Sequence, residues 1–122
     1  MSVRFAGHAA LFDRVDRAGD VFRAGAFAGA GVVPLLWQHR GRPVGTLTVV
    51  GEDARGLRVE GVVADPEVAR LVRGGALAGL SVGYRAIAAR QGGRRELLRV
   101  ALVEVSLVAV PMQPLARVDV LD

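Results

Sequence analysis

A mainly β fold with one or two helices (β-rich α+β), closing as a mostly antiparallel barrel, is what the sequence predicts, and three observations predict it. Apolar runs of strand length alternate with glycine-rich or charged turns along most of the chain. One stretch, opening at Asp65-Pro66-Glu67, carries a clear helix start. The hydrophobic fraction is 52% while aromatics are 5%, so the core must be built from Val, Leu and Ala in small units. A length of 122 residues fits one compact domain, residues 1–122, with no room for a second.

The elements follow in order. Val3 to Phe12 reads as a first strand, with Gly7 as a bulge or close-approach point. Asp13 to Asp20 is too charged for a core and reads as a polar turn region, and Phe22 to Gly31 holds a short helical turn anchored by Phe27. Val32 to His39 is a strand whose polar end meets solvent or a cleft; RGRP is a turn, and Pro43 to Val50 is the next strand. Glu52 to Gly56 has hairpin-turn composition, with Leu57 to Ala64 as the returning strand. Asp65 as N-cap, Pro66 at the first position and Glu67 in the first turn open a helix that carries Val68, Leu71 and Val72 and stops at Gly74-Gly75. A strand from Leu80 to Arg90 puts Val82, Tyr84, Ala86 and Ala88 on one face. Gln91 to Arg94 is a hairpin tip, and Glu96 to Val110 is one long β run ended by Pro111. Ala116 to Leu121 pairs as a last strand.

Composition removes several function classes. Without cysteine there are no disulfides or thiolate metal sites, which fits a reducing cytoplasm. No lysine occurs, so arginine alone carries the formal charge of +4; such charge suits phosphate or acidic partners, but the scatter of the arginines favours biased coding in a GC-rich genome instead. The N-terminus lacks a signal-peptide pattern, and no apolar run approaches the roughly 18 residues of a membrane span. A soluble cytoplasmic domain with no membrane partner is expected. Two histidines and scattered carboxylates show no metal-ligand spacing, and no phosphate-cradling loop is present, so neither metal nor cofactor is expected. One Trp and one Tyr disfavour a nucleic-acid stacking surface.

Nucleophilic chemistry has few candidates: three serines (Ser2, Ser81, Ser106), two threonines and two histidines. Ser81 lies in GGALAGLSVGY, in a small-residue turn that runs into a strand. GLSVG matches the G-x-S-x-G nucleophile elbow by letter. A helix precedes this serine and a strand follows it, however, the reverse of an α/β-hydrolase. His39 ends an apolar strand, and a lone histidine there is more often structural than catalytic. Glu104 stands alone among apolar residues of a long strand, and the face it shares with Leu102, Ser106 and Val108 is too apolar for full solvation. A partly buried carboxylate needs a partner, and histidine is a natural one. Serine, histidine and a third orienting group are the parts of acyl transfer.

Together these pieces resemble the prohead (procapsid) maturation proteases of tailed phages and of phage-derived gene transfer agents, serine proteases similar in fold to the herpesvirus assemblins. The resemblance rests on GHAALFDRVDRAGDVFRAGAF, PLLWQH followed by RPVG, GLRVEGVV, RGGALAGLSVGY and LVEVSLVAVPMQPLA, in the family's order across nearly the whole chain. It implies a herpesvirus-protease-like β-barrel with Ser81 as nucleophile, His39 as general base and Glu104 as orienter. Assemblins use a second histidine after the serine as third member. None follows Ser81 here, so a carboxylate stands in or the site is a dyad, with His8 ranked below Glu104 because such proteins usually carry a tyrosine there. The implied role is cleavage of scaffold, or of the scaffolding segment of the major capsid protein, and of the protease itself, inside assembling procapsids. A homodimer is what the assemblin analogy suggests. The rival readings are an inactive member of the fold serving in assembly or scaffold binding, and a basic β-barrel module that binds nucleic acid.

Overall fold

The computed structural model describes residues 1–121, which form eight strands and one helix. In chain order these are β1 (Val3–Leu11), β2 (Asp20–Phe22), β3 (Leu35–Trp37), β4 (Arg40–Glu52), β5 (Gly56–Val63), α1 (Pro66–Arg73), β6 (Gly79–Arg90), β7 (Arg95–Val108) and β8 (Val118–Val120). All strands belong to one curled sheet in the order β2-β7-β3-β4-β5-β1-β8, with β6 paired to β7.

β7 organises the sheet. Along one edge it takes β6 antiparallel, from Gly79 opposite Val108 to Arg90 opposite Glu96. Along the other edge it takes two short strands in parallel, β2 at its start (Asp20 opposite Arg95) and β3 near its end (Leu35 opposite Val105). The remaining ladders, β3–β4, β4–β5, β1–β5 and β1–β8, are antiparallel. A bridge between Gly79 and Arg117, with hydrogen bonds Leu80 N–H to Ala116 O and Val118 N–H to Ala78 O, joins the two ends of the curl at the start of β6.

The inner face holds the core, in which Phe5, Phe22, Phe27, Leu35, Leu57, Leu80, Leu97 and Leu107 are fully buried. The expected economy in aromatics holds: Phe22 packs against Phe27 and edge-on against Tyr84, with ring centroids 4.9 and 5.1 Å apart, and aliphatic side chains fill the rest. α1 forms as its caps dictate. The Asp65 carboxylate accepts from Val68 N–H at 3.0 Å, Pro66 and Glu67 fill the first turn, and Val68, Ala69 and Val72 face inward.

Local departures from the sequence reading have physical causes. Residues 23–30 form successive single turns, with bonds from Ala26 N–H to Arg23 O, Ala28 N–H to Gly25 O and Ala30 N–H to Phe27 O, instead of a second helix. Gly25 and Gly29 adopt φ of +92° and +77°, which breaks any helical run, while Phe27 is buried as expected. β3 is only three residues long, because its strand reverses at Gln38-His39; RGRP therefore lies inside β4 and is not a turn. The bulge expected near Gly7 falls between His8 and Ala10, and Gly7 lies hard against the carbonyl of Arg117. Bulges between Gly83 and Tyr84, and between Ala86 and Ala89, interrupt the simple alternation expected of β6.

The unexpected strand β2 is held from its side chains. Arg95, directly opposite Asp20, grips that carboxylate through Nε to Oδ1 at 2.9 Å and Nη2 to Oδ2 at 2.8 Å, and Tyr84 Oη donates to Oδ2 at 3.2 Å. The Arg95 hydrogen bonds outweigh the cost of burial and hold Asp20 below the usual carboxylate range, while Arg95 is raised in turn by Asp20. Burial first, then the negative charges of Asp20 and Asp16, push the Tyr84 phenol up to about 12. A carboxyl depressed by folding stabilises the fold above its unfolded value of 3.8 and loses that contribution as the pH falls through the depressed one. Asp20→Asn is therefore expected to cost about 1–2 kcal/mol at neutral pH, a figure kept low because Arg95 is partly solvated. Urea denaturation should show wild type and variant converging as the pH drops below 3.8; a constant difference would assign the effect to packing.

Candidate active site

β7 is buried on both faces from Glu104 to Val108. Val105 and Leu107 point into the core, which turns Glu104 and Ser106 together toward the opposite face. Glu104 is 8% exposed and Ser106 is not exposed at all. A carboxylate so placed needs donors, and two reach it. Ser106 Oγ donates to Oε1 at 2.6 Å, and His39 Nδ1 lies 2.7 Å from Oε2.

His39 arrives on an unusual turn. Trp37 and Arg40 pair across the β3–β4 hairpin, so Gln38 and His39 are its two-residue loop, with φ of +53° and +62°. That is the type I′ signature, normally filled by Asn-Gly, and each non-glycine residue in the left-handed region costs about 1–2 kcal/mol. Tertiary bonds offset the cost. Gln38 N–H donates to Leu107 O at 3.0 Å, Ala109 N–H donates to Gln38 Oε1 at 2.8 Å, and His39 N–H donates to Ser106 Oγ at 3.0 Å. A closed ring results: His39 N–H to Ser106, Ser106 O–H to Glu104, and Glu104 to the His39 ring. A carboxylate can only accept, so its contact with Nδ1 assigns the ring proton to that nitrogen. In the neutral ring Nε2 then carries the lone pair, on a side chain 43% exposed.

Ser81 stands on β6 directly opposite Ser106. Residues facing one another in an antiparallel pair point to the same side, about 4.5–5.5 Å apart at Cα. The sheet therefore brings Ser81 to the face that carries Glu104, Ser106 and the His39 turn. Ser81 is 7% exposed, and its hydroxyl makes no hydrogen bond among the described residues. An apolar cavity opens beside it, lined by Leu80, Val82, Tyr84, Phe22 and Met112 with the buried polar residues Asp16 and Gln113. Two residues on from Ser81, Gly83 faces Glu104, and a Cβ there would overlap the carboxylate.

A family model described as the caudovirus prohead serine protease matches residues 1–122. The chain belongs to this family. Among solved structures, this prohead-protease family member is similar to KSHV protease in complex with a hexapeptide phosphonate inhibitor, at 12% identity and a TM-score of 0.69, over 100% of this chain and 66% of that one. A second structure of KSHV protease gives 14% identity and 0.59, over 97% and 60%. Varicella-zoster virus protease gives 18% and 0.50, over 84% and 58%. At such identities the likeness is one of fold, and it makes the curled sheet a herpesvirus-protease fold. The family member spans about three fifths to two thirds of the length of these solved chains. No curated protein sequence matches it.

Of the residues singled out from sequence, the fold thus assembles Glu104 and His39 in direct contact and sets Ser81 on the neighbouring strand. His8 is elsewhere. Its Nε2 is bound to Asp53 Oδ2 at 2.7 Å, next to the β4–β5 turn that Asp53 caps through Arg55 N–H and Gly56 N–H. Burial alone would raise Asp53, but the hydrogen bonds from His8 and the turn win and lower it. Ser106 and Gly83 were missed as site residues. Ser106 was within reach of the period-two rule, since it shares a face with Glu104; Gly83 required the β6–β7 register.

Gly83→Ala tests the packing without replacing a polar group. The new methyl must displace the Glu104 side chain, at a stability cost of about 1–3 kcal/mol. The expected outcome is loss of the downfield Nδ1–H proton resonance of His39 in NMR spectra of a still-folded variant. Survival of that resonance at its wild-type position would show that the pair tolerates the added methyl.

Proposed function

We propose that this family member is a serine endopeptidase of capsid maturation, residues 1–122 forming one protease domain. It would cleave the scaffold or the scaffolding segment of the major capsid protein within the procapsid, and itself. The observation that carries the reading is the Glu104–His39 pair at 2.7 Å on the face that also bears Ser81.

Each group then has a defined task. His39 Nε2 takes the Ser81 hydroxyl proton as Oγ adds to the scissile carbonyl, and it returns that proton to the leaving amine as the tetrahedral adduct collapses. An acyl-enzyme remains on Ser81, and a water activated by the same nitrogen releases it. Glu104 keeps the imidazole in the Nδ1–H tautomer and stabilises the imidazolium when it forms. Ser106 acts through the other two, holding the carboxylate by its O–H and the His39 backbone by its oxygen. The outer edge of β6 that begins beside Ser81, unpaired among the described residues, offers backbone donors and acceptors to an extended substrate.

Co-expression with the cognate major capsid protein, read by intact mass, tests the reading. Shortening of the capsid protein by a defined N-terminal segment is expected with wild type and not with Ser81→Ala. Glu104→Gln should slow the cleavage by about 10³–10⁴-fold, and Ser106→Ala by about 5–150-fold, the range for losing a buried hydrogen bond of about 1–3 kcal/mol. Equal shortening with Ser81→Ala would remove Ser81 from the role. Association without cleavage by wild type would make the protein a scaffold-binding component.

A further inference from the structure

The hairpin arm made by the outer halves of β6 and β7 has a chemistry the mechanism does not use. Beyond the junction at Gly79 and Leu80, β6 has no ladder partner on its outer edge among the described residues, whereas the far edge of β7 takes β2 at its start and β3 near its end. Residues 85–90 are all exposed. An open edge of this length invites pairing with another chain unless something deters it. Here the deterrent is charge. Residues 85–99 hold five arginines and one acidic residue, Glu96.

Most of that charge is uncompensated. Asp20 occupies Arg95, and Arg23 Nε donates to Glu96 at 2.8 Å, so Glu96 offers Arg90 only a contact at 3.7 Å. Arg85, Arg94 and Arg99 are exposed and have no acidic partner among the described residues. The nearby acids are engaged as well: Asp13 is bound to Arg23, and Asp16 accepts from the backbone of Ala18 and Asp20. Ala86, Ala88 and Ala89 keep the edge low, and Ile87, 64% exposed, supplies one apolar contact.

We propose that this arm docks an extended acidic segment of the polypeptide being cleaved, added as a strand to the β6 edge with its carboxylates on Arg85, Arg94 and Arg99. The proposal rests on Ser81 as the point of cleavage. At about 3.3 Å per residue, the arm from Arg85 to Arg90 lies about 13–30 Å from Ser81, so the acidic residues fall about four to nine positions from the scissile bond. Charge complementarity selects this occupant. A second copy pairing along the same edge would set arginine against arginine, and a nucleic-acid strand would find no aromatic side chain between residues 85 and 99 to stack on.

The test separates docking from catalysis by measuring binding on the Ser81→Ala chain. Fluorescein-labelled decapeptides of alternating Thr and Glu, or of alternating Thr and Lys, are titrated and followed by anisotropy. The glutamate peptide should bind at least about tenfold more tightly than the lysine peptide and weaken between about 50 and about 300 mM salt. Binding should fall about tenfold or more in the Arg85→Glu, Arg94→Glu, Arg99→Glu variant, and in the milder triple Gln variant to a lesser degree. N-methylation of alternate peptide nitrogens should abolish it. No binding of the glutamate peptide, equal binding of the lysine peptide, or binding that survives charge reversal or N-methylation would overturn the proposal. None of these readings depends on whether Ser81 cleaves.

Discussion

The buried carboxylate of Glu104 is the constraint on which the rest of the site depends. A charged group sunk in the wall of a β sheet must be met by donors, and here they come from Ser106 on the same strand and from His39 on a neighbouring hairpin. Meeting that demand fixes the hairpin turn on β7. The same bonds offset the left-handed backbone at Gln38 and His39, so strain, burial and site geometry form one balance. Weakening any member releases the others.

Rigidity follows from where these groups stand. Ser81, Glu104 and Ser106 all sit inside paired strands, and β7, which carries two of them, has partners on both edges. At its far end the Asp20–Arg95–Tyr84 cluster ties β2 to the same strand and sets Tyr84 at the cavity beside Ser81. Strand-borne positions hold side chains more tightly than loops do. The contrast with a nucleophile elbow is physical: there a strained turn exposes the serine, whereas Ser81 stands within a paired strand in register with Ser106.

What could be read in the sequence was what local rules determine. α1 is legible residue by residue, from the Asp65 cap to Gly74, because capping is local chemistry. Glu104 was legible because alternation on a long strand makes an isolated carboxylate conspicuous. The family pattern around WQH and GLSVGY supplied His39 and Ser81 as a pair. The Gln38-His39 turn was not legible, since hydropathy runs through it and neither residue has turn chemistry; bonds to Ser106 and Leu107, some 67 to 69 residues away, create it. β2 escaped for the same reason, being three residues long and held by a partner 75 positions distant. The bulges of β6 answer to cross-strand packing that no single segment encodes.

The choice of a carboxylate behind His39 also has a structural logic. A neutral imidazole offers one acceptor. A carboxylate offers two oxygens, and Glu104 uses both, Oε2 for the His39 ring and Oε1 for Ser106. An imidazole in its place would leave either the His39 ring nitrogen or the buried Ser106 hydroxyl without its acceptor, at a cost of about 1–3 kcal/mol for the hydroxyl. Ser106 cannot be spared, because its oxygen receives the backbone N–H of the strained His39 turn. A small chain that carries its histidine on a two-residue turn therefore favours a carboxylate behind it, and Gly83, with no side chain to crowd that carboxylate, is the counterpart on the facing strand.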